Sequence, residues 1–174
     1  HQQGIGVILD WTPAQFPRYT SGLERFDGTP LYEKQNPAEA VHPFWGTLLY
    51  NYDSPMVKDF LIANACFWTE VYHVDGLRMD DVDAMLYLDY GRNPGVWTPN
   101  IYGTNENLDT LEFLKHLNSV IKQRNPGILL IAQEDGLWPE LTDSVVNDHL
   151  GFDYKWSGGW TKDILEYLSK DPIE

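Results

Sequence analysis

Three places along the chain set carboxylates or amides directly after a short apolar run: Asp10 after residues 5–9, Asp80 after residues 74–79, and Gln133-Glu134-Asp135 after residues 128–132. Retaining cleavage of a glycosidic bond needs two carboxyl groups flanking one bond, ~5–5.5 Å apart, one to attack the anomeric carbon and one to move the proton. Asp80 and the Gln133/Glu134 pair are the candidate couple. Arg78 stands two residues before Asp80, and in a strand residues two apart point the same way. A guanidinium in that position orients the Asp80 carboxylate and favours the ionised form a nucleophile requires. An ordinary ion pair at a strand end reads the same way from R-x-D alone.

The elements that must hold these groups alternate. Residues 5–9 form a continuous apolar run, the pattern of a strand buried on both faces. A long Pro-, Gly- and aromatic-rich connection follows to about Tyr52, a length usually associated with function. Ser54-Pro55 opens a helix, with Ser as cap and Pro in the first turn. Val57, Phe60, Leu61, Asn64, Ala65, Trp68, Val71 and Tyr72 give it a mostly apolar stripe. Residues 74–79 predict a second strand. Leu108, Leu111, Leu114, Leu117 and Ile121 mark the buried side of a further helix, which Asn125-Pro126-Gly127 stops. Residues 128–132 predict a third strand, residues 151–154 a short fourth, and about 161–168 a last helix. Trp156 and Trp160, at helical spacing, are expected in the core.

That order implies parallel strands with crossover helices, in an open doubly wound sheet or a (β/α)8 barrel. No strand is followed by a Gly-rich phosphate turn, the mark of the open sheet. Polar groups at the carboxyl ends of three strands are where a barrel builds its site.

Composition narrows the partners. The 174 residues carry 12 basic against 26 acidic side chains, a net charge of −14, which disfavours a nucleic-acid backbone as ligand. No apolar run approaches the ~20 residues of a membrane span. The single Cys66 excludes an internal disulfide and fits a reducing, cytoplasmic setting. Seven Trp and ten Tyr suit a large core or a sugar site where rings stack on pyranose faces. The chain opens at His1 and ends at Asp171-Pro172-Ile173-Glu174, which reads as a piece of a longer protein.

Asp75-Gly76-Leu77-Arg78-Met79-Asp80 resembles the D-G-x-R-x-D string of the α-amylase superfamily, in which the last Asp is the nucleophile. Asp10-Trp11-Thr12-Pro13-Ala14-Gln15-Phe16-Pro17 is similar to that superfamily's D-W-V-P-x-H-F-P signature in its glycogen (1,4-α-glucan) branching-enzyme form. Further blocks resemble branching enzymes specifically: Phe26-Asp27-Gly28-Thr29, Leu31-Tyr32-Glu33, Leu49-Tyr50-Asn51-Tyr52, Leu150-Gly151-Phe152 and Tyr154-Lys155-Trp156. The resemblance covers essentially the whole chain. It implies an α/β fold, a partial (β/α)8 TIM barrel containing about strands three to six, with residues 1–174 the central part of a catalytic barrel domain and the flanking strands and β domains absent. It also implies retaining glycosyl transfer on α-1,4-glucan in glycogen biosynthesis, no cofactor, and Asp10, Gln15 and Arg78 as substrate-site residues beside Asp80. The family's further Asp and its His neighbour lie on a later strand, so the isolated piece is expected to be inactive.

Two departures matter. Gln15 stands where the family has a His that donates to a sugar hydroxyl. Gln133 stands where the family has its acid/base Glu, with Trp138-Pro139 matching the family's aromatic-Pro pair at the same offset. Either the strand end shifts by one residue and Glu134 serves, or the acid is lost and the protein is a glucan-binding pseudoenzyme or a very slow transferase. A one-residue slip turns a side chain to the opposite face.

His42, His73, His116 and His149 lack metal-ligand spacing and are expected at the surface or packing loops, with no metal site proposed. Asp80-Asp81-Val82-Asp83 lacks the full oxygen spacing of a calcium loop. Trp45, Tyr50, Trp97, Tyr102 and Trp138 fall in loops after strands, as glucan subsites or loop anchors.

Overall fold

The computed structural model describes residues 1–19, 21–136, 138, 139, 141, 142 and 144–170, so the closing Asp171-Pro172-Ile173-Glu174 lies outside the described residues. In chain order the elements are β1 (Ile8–Trp11), β2 (Gln15–Phe16), α1 (Pro37–Ala40), β3 (Leu48–Leu49), α2 (Pro55–Glu70), β4 (Gly76–Met79), α3 (Val82–Leu86), α4 (Leu108–Arg124), β5 (Leu129–Gln133), β6 (Tyr154–Trp156) and α5 (Gly158–Ser169). β1, β4, β5 and β6 lie side by side in one parallel sheet, while β2 and β3 pair antiparallel in the long connection. That connection lacks a period in sequence because its two strands have only two residues each.

Strand alternation divides the sheet into two faces. Leu77, Met79, Leu130 and Ala132 are fully buried on one face, in a single cluster with Val57, Leu61 and Ala65 of α2 and Phe113, Leu114, Leu117 and Ile121 of α4. Each such buried Leu or Phe contributes about 1.5–3 kcal/mol. Asn107 caps α4 by accepting from the Thr110 amide at 3.4 Å. Ser54 has the backbone conformation of a cap, but its side chain makes no capping hydrogen bond and Pro55 supplies the preset first turn.

The other face carries Ile8, Asp10, Arg78, Ile131 and Trp156 around an open hollow. The register sets Asp10 beside Arg78, Arg78 beside Ile131, and Gln133 beside Trp156. Gly76 belongs to this row, and a methyl there would come within 3.1 Å of Leu129 Cβ and 3.2 Å of Ile8 Cγ1. The glycine of the D-G-x-R string is thus the residue that lets three strands close up. Asp75 before it accepts from the Val7 amide at 2.6 Å and ties down the start of β1.

Three expectations are corrected. The first strand is shorter than residues 5–9: it starts at Ile8, and within these 174 residues β1 is the edge of the sheet, with Ile5, Val7 and Ile8 exposed. The fourth strand is Tyr154–Trp156, starting at the last of the predicted residues 151–154. Trp156 and Trp160 are not in the core formed by these 174 residues: Trp156 lies on the open sheet face and Trp160 on α5, 54% and 69% exposed.

Candidate active site

The carboxyl ends of β1, β4 and β5 converge on one guanidinium. Arg78 is mostly buried, and its Nη1 lies 3.1 Å from Asp10 Oδ1. Its Nη2 lies 3.2 Å from Asp80 Oδ1 and donates to Gln133 Oε1 at 3.4 Å. Both acceptors share one nitrogen, so they are no more than about 6.6 Å apart, the scale of the ~5–5.5 Å separation in a retaining pair. The Trp156 ring packs on the same guanidinium, 5.1 Å from centroid to Cζ. Asp80 keeps 40% of its side chain exposed, open to a ligand above the strand ends.

Gln133 is oriented by its partners. Its Oε1 accepts from Arg78 and from the Asp81 amide at 3.3 Å. Two donors on one atom fix that atom as the oxygen. The amide nitrogen has no acceptor among the described residues.

Glu134 is not brought to this group. Parity turns it to the opposite side, where it is fully buried. Its Oε2 is hydrogen-bonded to Lys155, whose Nζ also donates to the Gly136 carbonyl at 2.7 Å. Its Oε1 and Asp83 Oδ1 are buried and meet no donor among the described residues. Burial first, and the facing Glu134 carboxyl after it, push Asp83 up to about 6, so that below that pH a proton on Asp83 completes the pair. A methyl on Gly136 would come within 2.4 Å of Glu134 Oε1, so that glycine makes room for the pair.

Gln15 joins a second network, around Asp81 next to Asp80. Its Nε2 donates to Asp81 Oδ2 at 2.6 Å, and its Oε1 accepts from the Thr47 hydroxyl. His42 is fully buried and sits 2.8 Å from the same Asp81 oxygen through Nε2. Its Nδ1 accepts from the amides of Phe44 and Trp45 at 3.2 and 3.3 Å, which places the ring proton on Nε2. Burial, and then Arg92, push the His42 pKa down, consistent with a neutral ring. Burial and then the adjacent Asp80 charge push Asp81 up to about 6. Asp81 also takes a left-handed backbone, φ 61°, which turns the chain from β4 into α3.

Sequence reasoning missed Asp81, His42 and Trp156 as neighbours of the site. Asp81 carries a weak signal, a second carboxylate beside a candidate nucleophile. Trp156 pairs with Gln133 in register, which spacing does not reveal. Of the loop aromatics, Tyr50 is buried in the core, Trp138 packs on Tyr87, and Trp45 and Tyr102 are exposed.

No protein-family model matches the chain. The 1,4-alpha-glucan branching enzyme GlgB of Methylococcus capsulatus is 54% identical over 173 residues, covering 99% of this chain and 23% of that protein. That of Thermobifida fusca is 53% identical, with the same 99% and 23% coverage. The chain belongs to the 1,4-α-glucan branching enzyme family. This branching-enzyme segment spans about a quarter of the length of these relatives. Among solved structures, the α-amylase from Geobacillus thermoleovorans, complexed with acarbose, matches with a TM-score of 0.58 at 17% identity over 94% of this chain and 33% of its own. An Anoxybacillus α-amylase matches with a TM-score of 0.59 at 14% identity, over 94% of this chain and 32% of its own. These likenesses show the fold: the parallel sheet and its helices are part of an α-amylase-type (β/α)8 barrel.

Proposed function

We propose that the protein carrying this branching-enzyme segment performs retaining glycosyl transfer on α-1,4-glucan, with the proton-transfer half of the reaction impaired. Residues 1–174 supply the central strands of its catalytic barrel. Asp80 attacks the anomeric carbon, steadied by Arg78; Asp10 holds the other arm of Arg78, and Gln15, bonded to Asp81 and Thr47, offers its second amide hydrogen to a sugar hydroxyl. Transfer of the glucan to a 6-hydroxyl of an acceptor chain gives a branch. The observation that carries the reading is the gathering of Asp10, Asp80 and Gln133 on one guanidinium.

The second reading is a glucan-binding protein without turnover, and the position of Glu134 favours it. Gln133 occupies the place beside Asp80, and an amide has no proton to give a departing alkoxide. General acid–base catalysis is worth ~10²–10⁴-fold. Gln133→Glu in the full-length protein, assayed for new branches on amylose, separates the readings. A gain of that size supports a lost acid. A parent already as active as the variant shows that another acid serves. Failure of both to bind maltooligosaccharide removes the glucan reading altogether. No helix among the described residues is long and apolar enough to cross a membrane. A glucan ligand, neither nucleic acid nor lipid, and a cytoplasmic setting complete the proposal.

A further inference from the structure

We propose that this site transfers glucosyl groups from donors whose leaving group departs as a stable anion to acceptors that arrive as anions, an activity in which no proton moves. The inference rests on the glucan reading above. It follows from an asymmetry in the site: the attacking carboxylate is held and open, whereas the group opposite it is a neutral amide.

Asp80 keeps its Arg78 contact at 3.2 Å and remains accessible. Nothing in the first step requires an acid if the leaving group is a weak base. With an α-maltosyl fluoride donor, an Asp80 oxygen forms a bond to C1 while the C1–F bond breaks and fluoride leaves with the electron pair. The product is a glycosyl ester on Asp80.

The ester then persists, because a water or sugar hydroxyl needs a base to remove its proton as it attacks. Gln133 Oε1 is occupied by Arg78 and the Asp81 amide, and Glu134 is sealed against Lys155 on the other side of the sheet. An anion such as azide brings its own electron pair and needs no base. It forms the N–C1 bond as the C1–O bond to Asp80 breaks, and that electron pair returns to the carboxylate. Two inversions give the α-azide. A carboxylate at 133 would repel the incoming anion. The neutral amide does not, and its N–H groups, which have no acceptor among the described residues, can donate to it.

The test uses the full-length protein with α-maltosyl fluoride, with and without sodium azide. Mass spectrometry reads the adduct, and product analysis reads α-maltosyl azide. The expected result is a maltosyl adduct on the peptide containing Asp80, abolished in Asp80→Asn, and fluoride release accelerated at least tenfold by azide. Gln133→Glu should lose the azide acceleration while gaining transfer to glucan. Maltooligosaccharide binding by all three proteins is measured in parallel. Binding without adduct or azide product overturns this inference alone. Azide acceleration that survives Gln133→Glu also overturns it, because another residue would then govern the acceptor. Absence of binding by the parent overturns the glucan reading beneath it.

Discussion

Substituting Asp83 by Asn should remove part of the pH dependence of folding. Asp83 rises from 3.8 to about 6 in the fold, chiefly by burial and then by facing Glu134. A carboxyl raised in this way binds a proton that the unfolded chain has already released, so its stabilising effect is complete below about 4 and disappears as pH climbs through about 6. The displacement corresponds to about 3 kcal/mol in total, of which about 2 kcal/mol falls between pH 4.5 and 7.5. Asn keeps the geometry: its oxygen accepts from the Asp135 amide, now held at 3.0 Å, and its nitrogen donates to the unpartnered Glu134 oxygen. Asp81, raised by burial and Asp80 to about 6, adds a drop of the same sign in parent and variant alike and cancels in the comparison. The measurement is the urea midpoint by tryptophan fluorescence at both pH values. With a slope near ~2 kcal/mol per molar for a chain of this size, Asp83→Asn should lose about 1 M less midpoint than the parent between them. A variant whose midpoint falls as steeply as the parent's would show that no proton is held between Asp83 and Glu134.

Gly76→Ala should destabilise by about 1–3 kcal/mol in the same urea experiment, because the added methyl meets atoms of both flanking strands at 3.1–3.2 Å. Arg78→Lys should slow adduct formation from α-maltosyl fluoride about 10²-fold while glucan binding changes far less, since one ammonium cannot hold Asp10, Asp80 and Gln133 at once. Glu134→Gln should cost about 1–3 kcal/mol of stability, read by unfolding at pH 7.5, because a neutral amide replaces the fully buried carboxylate that Lys155, itself 27% exposed, is hydrogen-bonded to.

The strands bearing the polar groups were legible because each is a short apolar run stopped by a carboxylate or amide, and two helices because their apolar stripes have a clear period. The start of β1 was not legible because residues 5–7 continue the apolar run of the strand that follows them. Trp156 was misplaced because its spacing to Trp160 suits a helix, while the chain reaches helical geometry only at Gly158. At the site, Arg78 and Asp80 were legible from spacing two apart on one strand. The Asp81, His42 and Gln15 network was not, because it joins residues 39 and 66 positions apart through loops without periodicity.

The one question sequence left open, which of residues 133 and 134 stands beside Asp80, reduces to strand parity. β5 pairs with β4 as Arg78 with Ile131 and with β6 as Gln133 with Trp156. Arg78, Ile131 and Trp156 all line the open hollow, so Gln133 shares their face and Glu134 cannot. Moving Glu134 there would require a shift of one residue, which would expose Leu130 and Ala132, now fully buried, and bury Ile131 and Gln133 among the helices. It would also strip Lys155 of its carboxylate. A mostly apolar row that holds two zero-exposure residues opposes the shift more strongly than a vacant proton donor favours it. The same rigidity that keeps Glu134 on the face away from Asp80 makes it a support: through Lys155 and Asp83 it joins β6 and α3 beneath the strand ends on which Asp80 and Gln133 stand.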